Sequence, residues 1–145
     1  MTLWILDTDH LSLLQRGHPL VEQRISTIDP NDIAITIISV EEQLYGRLNQ
    51  IRRAKPSEIL ITAYGFLRDT LNSFKDANVL DFDEAATNLY EALLRQKIRI
   101  GTQDLRIAAI ALSKDGVLVT RNQSDFAKVP NLVLEDWFVG DEFIE

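Results

Sequence analysis

Cysteine is missing altogether from the 145 residues. Disulfides, thiolate metal sites and thiol nucleophiles are thereby excluded, which fits a cytoplasmic protein. There are two histidines, His10 and His18, and neither belongs to an evident zinc-ligand set. A helix-surface position is expected for His10. No apolar run approaches the roughly 20 residues of a membrane span, so no membrane partner is expected. The N-terminus has no basic n-region, and Asp7 interrupts its apolar run, so it does not read as a signal peptide. Gly-x-Ser-x-Gly, Gly-x-Gly-x-x-Gly and Walker A patterns are all absent. Serine-hydrolase, dinucleotide and P-loop readings lose their main support. With six glycines and four prolines, and no repeat or low-complexity tract, no linker is expected and residues 1–145 read as one domain.

What remains is ordinary for a globular domain: 46% hydrophobic and 26% charged residues. The net charge of -7 argues at first against a polyanionic partner. Bulk charge matters less than local patches, however. Arg47, Arg52, Arg53 and Lys55 follow one another with no acid between, and Arg95, Lys97 and Arg99 form a second cluster. Solvated helix faces would explain both, so the patches permit a nucleic-acid partner without demanding one.

Residues 3–9 organise the chain: four apolar residues run into Asp7, Thr8 and Asp9. A short continuous apolar run reads as a strand buried on both faces, with Asp7 at its carboxyl end. Asp9 is placed to cap a helix that Gly17 ends, and a second helix follows Pro19. Residues 29–32 form a turn by composition and 33–38 a β-branched strand. Ser39 opens a helix with Val40, Leu44, Leu48 and Ile51 at helical spacing, and Pro56-Ser57 starts another. Residues 78–82 read as a third strand and Asp83 caps the next helix. Residues 103–113 form a deeply buried helix. Residues 117–120 and 132–134 supply the last two strands. Strands separated by helices imply right-handed crossovers. The expected fold is therefore a three-layer α/β/α sandwich around a mostly parallel sheet.

In a parallel sheet every strand-to-helix junction lies on one edge, where ligands bind in open α/β folds. Asp7, Glu42, Asp104 and the segment from Thr120 through Asn122 to Asp125 all fall at such junctions. Each has an ordinary explanation when taken singly. Ser39 and Glu42 fit a capping box, Asp104 complements a helix dipole, and Asp125 suits a turn. Asp7 is harder to dismiss, because an acid after a buried strand is poorly solvated and needs a partner. Crowded carboxylates stay ionised together only when cations neutralise them. An all-oxygen ligand set favours Mg²⁺ or Mn²⁺ over zinc and supports hydrolysis at phosphorus.

Four segments resemble the PIN-domain family, and more narrowly the VapC-like toxins of type II toxin–antitoxin pairs. They are Leu6-Asp7-Thr8-Asp9, residues 38–46 around Glu42, residues 100–109 around Asp104, and residues 118–126 from Leu118 to Phe126. The resemblance implies a metal-dependent endoribonuclease with water as nucleophile. Asp7, Glu42 and Asp104 fall on family positions for metal-binding, catalytic acids. Many relatives carry an acid two residues after the threonine, where this chain has Asn122. The acid before the phenylalanine is kept as Asp125, so Asn122 and Asp125 share the fourth ligand position. Thr120, Arg47, Arg52 and Arg53 are the candidate substrate contacts. The resemblance also implies an RNA substrate, a cognate antitoxin partner and a homodimer. Trp137 and Phe138 are expected to pack on the core.

Two other classes fit part of the pattern. A haloacid-dehalogenase-like phosphatase would use Asp7 of Asp7-Thr8-Asp9 as its nucleophile, but lacks a convincing downstream lysine. A receiver-like signalling module, which is not an enzyme, would also carry an acidic Mg²⁺ pocket. A catalytically silent, antitoxin-binding PIN domain is a further alternative.

Overall fold

The β-branched and aliphatic segments form a single five-stranded sheet in a computed structural model of the chain, which describes residues 2–138. The strands are β1 (Trp4–Leu6), β2 (Ile33–Thr36), β3 (Val79–Leu80), β4 (Val117–Val119) and β5 (Val133–Glu135). Their spatial order is β3-β2-β1-β4-β5, and every pairing is parallel. This order excludes the receiver-like reading, whose doubly wound sheet runs 2-1-3-4-5.

Alternation along the strands splits the core in two. Ile5, Ala34 and Leu118 face one cluster, whereas Leu6, Ile35 and Val119 face the other. The first cluster is filled by α5 (Glu84–Arg95) and α6 (Thr102–Ser113), whose residues Ile107 through Ala111 are fully buried. The second is covered by α1 (Thr8–Gln15) and α2 (Pro19–Ser26), with Phe74 at the end of α4 (Ser57–Ser73). Full burial of each large aliphatic side chain contributes ~1.5–3 kcal/mol. The expected three layers are thus present, and Trp137 packs into the second cluster as expected.

Two helix starts differ from the sequence reading, and both differences matter for the site. Asp7, not Asp9, caps α1, accepting from the Thr8 N–H at 2.8 Å. The second strand stops at Thr36 rather than residue 38, and α3 (Ile37–Arg53) begins at once. Thr36 Oγ1 accepts from the Ser39 N–H at 3.1 Å, so Thr36 is the cap and Ser39 lies inside the helix. Glu42 is therefore in the second turn, released from any capping-box role. The buried threonine hydroxyl at the strand end satisfies one of the helix's orphan donors, the Ser39 N–H, and so takes the capping role that Ser39 would have had.

Candidate active site

Register fixes which residues reach the carboxyl edge together. Leu6 pairs with both Ile35 and Val119, so Asp7, Thr36 and Thr120 emerge side by side. The Asp7 N–H continues the ladder to the Val119 carbonyl at 2.9 Å. Asp7 is buried, and its second carboxylate oxygen accepts from the Thr120 hydroxyl at 2.8 Å. The acid that needed a partner has two, one from its own helix start and one from a neighbouring strand.

The other acids approach from separate elements. Glu42, on α3, accepts at 2.7 Å from the Thr8 hydroxyl, which also bonds Ser39 at 2.9 Å. Asp104 lies in the first turn of α6 as expected, but α6 follows helix α5, so Asp104 comes from a helix-to-helix connection and not from the strand-to-helix junction expected of it. The Asn122 amide donates to Asp104 at 3.3 Å and to Asp125 at 3.2 Å. Asn122 thus stands between two carboxylates, and its carbonyl oxygen remains free of that role. Asp125, on α7 (Gln123–Phe126), also pairs with Lys128 at 3.6 Å.

Electrostatics couple these groups into one cluster. Burial pushes the Asp7 carboxyl up from 3.8 to about 7, and the charge of Asp9 adds to the rise. The hydrogen bonds from Thr120 and Thr8 oppose it. Asp104 is also held above the ordinary carboxylate range, first by burial and then by Glu42, Asp125 and Asp9. Acids from separate helix starts and from α3 repel one another here, which scattered surface acids would not do. Among the described residues, no three acid or histidine side chains close into a ready cage for an ion. Glu42 lines the open crevice beside this cluster.

Asp9 is the member that sequence reasoning missed. It accepts from the Arg121 N–H at 3.1 Å and meets His10 Nδ1 at 2.8 Å. His10 is fully buried, not on the helix surface. Its Nε2 accepts from the Trp137 N–H at 3.1 Å, so Nδ1–H donates to Asp9. The imidazole joins the acid cluster to the C-terminal segment. The available signal was position: His10 lies three and four residues from Leu13 and Leu14, inside the apolar stripe of α1. His10→Ala leaves Asp9 and the Trp137 N–H without this partner and opens a cavity. It is expected to cost about 2–4 kcal/mol, read as a lower urea midpoint with unchanged m.

The basic residues separate. Arg47 borders the crevice, lining a hollow with Thr8, Ser12 and Glu42. Arg53 lines an adjoining hollow with Ile59 and Phe66 and bonds its own helix at Asn49. Arg52 lines neither hollow.

A parallel sheet with acids at its carboxyl edge is the arrangement of a PIN domain, and residues 4–132 match that family. The chain belongs to the PIN-domain family. Within it the chain falls in the VapC-like branch. It is 33% identical to ribonuclease VapC2 of Rickettsia felis, over 74% of this chain and 75% of the relative. It is 26% identical to the tRNA(fMet)-specific endonuclease VapC of Salmonella typhimurium, over 94% and 99% of the two chains. A chain of the VapBC-1 structure from nontypeable Haemophilus influenzae superposes with a TM-score of 0.75 at 27% identity, covering 94% and 98%. The family match displaces the phosphatase reading. No helix among the described residues is long and apolar enough to cross a membrane.

Proposed function

We propose that this protein is the toxin of a toxin–antitoxin pair, an endoribonuclease that hydrolyses RNA phosphodiesters with the help of Mg²⁺ or Mn²⁺. The observation that carries the reading is the gathering of Asp7, Asp9, Glu42, Asp104 and Asp125 at one sheet edge, where Thr8, Thr120, Arg121 and Asn122 donate to them. The relatives named as a ribonuclease and a tRNA endonuclease supply the reaction class. The donor set fits such an ion in its chemistry, since it is all oxygen. Mg²⁺ characteristically keeps several waters and takes one or two carboxylates directly. Asp7, Glu42 and Asp104 would hold it, with Asp125 and the Asn122 carbonyl on the far side. When bound, the ion supplies a strong nucleophile from water at neutral pH and charge to offset that growing on phosphorus.

The chain's own residues do the positioning. The Thr120 hydroxyl fixes the Asp7 carboxylate, and the Thr8 hydroxyl fixes Glu42, so both are set before RNA arrives. Arg47, Arg52 and Arg53 would hold the RNA backbone, which a site of this charge would otherwise repel. A cognate antitoxin would cover the groove, and two copies would pair. Leu48, Ile59, Ile61 and Tyr64 leave an exposed apolar surface suited to protein contact. Such an enzyme would act in the cytoplasm.

The test is cleavage of total RNA by the purified chain, with and without divalent ions. Cleavage that needs Mg²⁺ or Mn²⁺, stops with chelator and leaves 5′-phosphate ends is expected. Chelator-insensitive cleavage, or none with any divalent ion, contradicts the proposal.

A further inference from the structure

The crevice does not stop at the acids. Glu42 lines two hollows, one with Glu41, Tyr45 and Gln103 and the other with Ser12 and Arg47. Ser12 and Arg47 also line a third cavity of about 480 Å³, with Arg16, Phe66, Asp69 and Thr70 on its walls. Shared residues make these hollows neighbours, running from Glu42 toward the space between α1, α3 and α4. The volume of the third cavity is in the range of small-ligand sites.

Arg47 is built into that cavity rather than loose upon it. Its Nε donates at 2.9 Å to the hydroxyl of Thr70, itself a buried residue. Its Nη1 donates at 3.1 Å to Gln50, and its guanidinium lies 5.3 Å from the Phe66 ring centre. Two of its five N–H groups are thus held by the protein, which leaves three to meet a ligand. Phe66 remains 44% exposed. Asp69 is the one carboxylate on the cavity wall, and Arg16 offsets it. Glu42 and Arg47, both on α3, line one hollow together.

We propose that this cavity is a subsite for one nucleotide of the RNA beside the scissile phosphate. Arg47 contacts the phosphate or base edge, and the Arg47–Phe66 stack offers the base a planar platform. The proposal rests on the RNA-cleaving reading above, and adds to it the place where one base is held. Thr70 is a positioning residue, since it acts through Arg47.

The test is fluorescence anisotropy with a fluorescein-labelled single-stranded oligoribonucleotide, in the Asp7→Asn background so that it stays uncut. Phe66→Ala and Phe66→Leu are each expected to weaken binding about tenfold, the loss of one stacked base. Thr70→Val weakens binding less, and Thr70→Ser restores it. Abasic substitutions are then scanned along the oligonucleotide. At one position the missing base costs the Asp7→Asn chain the same factor and costs the Phe66→Ala chain nothing more. In the Asp7-intact chain, Phe66→Ala raises KM and leaves kcat unchanged. Equal responses of both chains at every abasic position overturn the subsite. So does a Phe66→Ala chain that binds RNA normally but loses an antitoxin, which makes the cavity a protein-docking pocket. Coupled binding without cleavage in any divalent ion keeps the RNA subsite and removes the hydrolytic reading.

Discussion

Asp7→Asn and Asp104→Asn are each expected to reduce RNA cleavage by about a thousandfold, the scale of losing one charge-stabilising group in a preorganised site. Neither variant is expected to unfold the chain. Asparagine keeps the shape of aspartate, and its carbonyl can still accept the Thr8 N–H that starts α1. Its amide can donate to the Thr120 hydroxyl, which then turns to act as acceptor. What is lost is negative charge at the one place where burial and the neighbouring Asp9 already oppose it. Asp104→Asn removes charge from the centre of the cluster, where Glu42, Asp125 and Asp9 all act on it. The double variant should be scarcely worse than either single one, because groups holding one ion act as a unit. Single-turnover cleavage of a defined RNA, with circular dichroism as the control for folding, measures this.

The second large effect is on stability, and it runs the other way. Folded Asp7 titrates near 7, against 3.8 for its ordinary value. Between those values the folded chain holds a proton that the unfolded chain has released. The stability attached to that proton is fully present below about 3.8 and is lost as pH rises through about 7. Other carboxylates respond to pH as well, so the informative quantity is the difference between the Asp7→Asn chain and the unaltered one. In ion-free buffer that difference should be small near pH 4. It should grow to on the order of 4 kcal/mol by pH 8, with Asp7→Asn the more stable. Millimolar Mg²⁺ should shrink the gap by stabilising the ionised native cluster of the unaltered chain. Urea titrations across the pH range check it. A variant that is inactive yet more stable marks a site held under charge strain for its function.

Much of this was readable from the residues because two periodicities agree. The apolar runs at 3–6, 33–38 and 117–120 read as buried strands, and the helices between them left parallel pairing as the connection. That topology brings Asp7, Thr36 and Thr120 to one edge, whereas Asp104 reaches it from α6, which follows another helix. Glu42 was legible as a member of the set but carried a false explanation. Ser39 and Glu42 have capping-box spacing, yet Thr36 is one turn earlier and fully buried, and it takes the cap first. A cap is decided by where the strand ends, which the β-branched run through Ile38 concealed. The same two-residue displacement hid Asp9: assigned to capping, it was removed from the site it helps to build. Burial of His10 and the stacking of Arg47 on Phe66 depend on contacts between distant segments, Trp137 in one case and α4 in the other. No local pattern encodes such pairs.

Acids carried by separate elements come together at the sheet edge to receive one class of ion. Titration of the purified chain with Mn²⁺, followed by the electron paramagnetic resonance of the free ion, tests it without reference to RNA. The unaltered chain should bind Mn²⁺ saturably, Mg²⁺ should compete, and Asp7→Asn and Asp104→Asn should each abolish the binding. Equal Mn²⁺ uptake by all three chains, or none by the unaltered chain at millimolar ion, would contradict it.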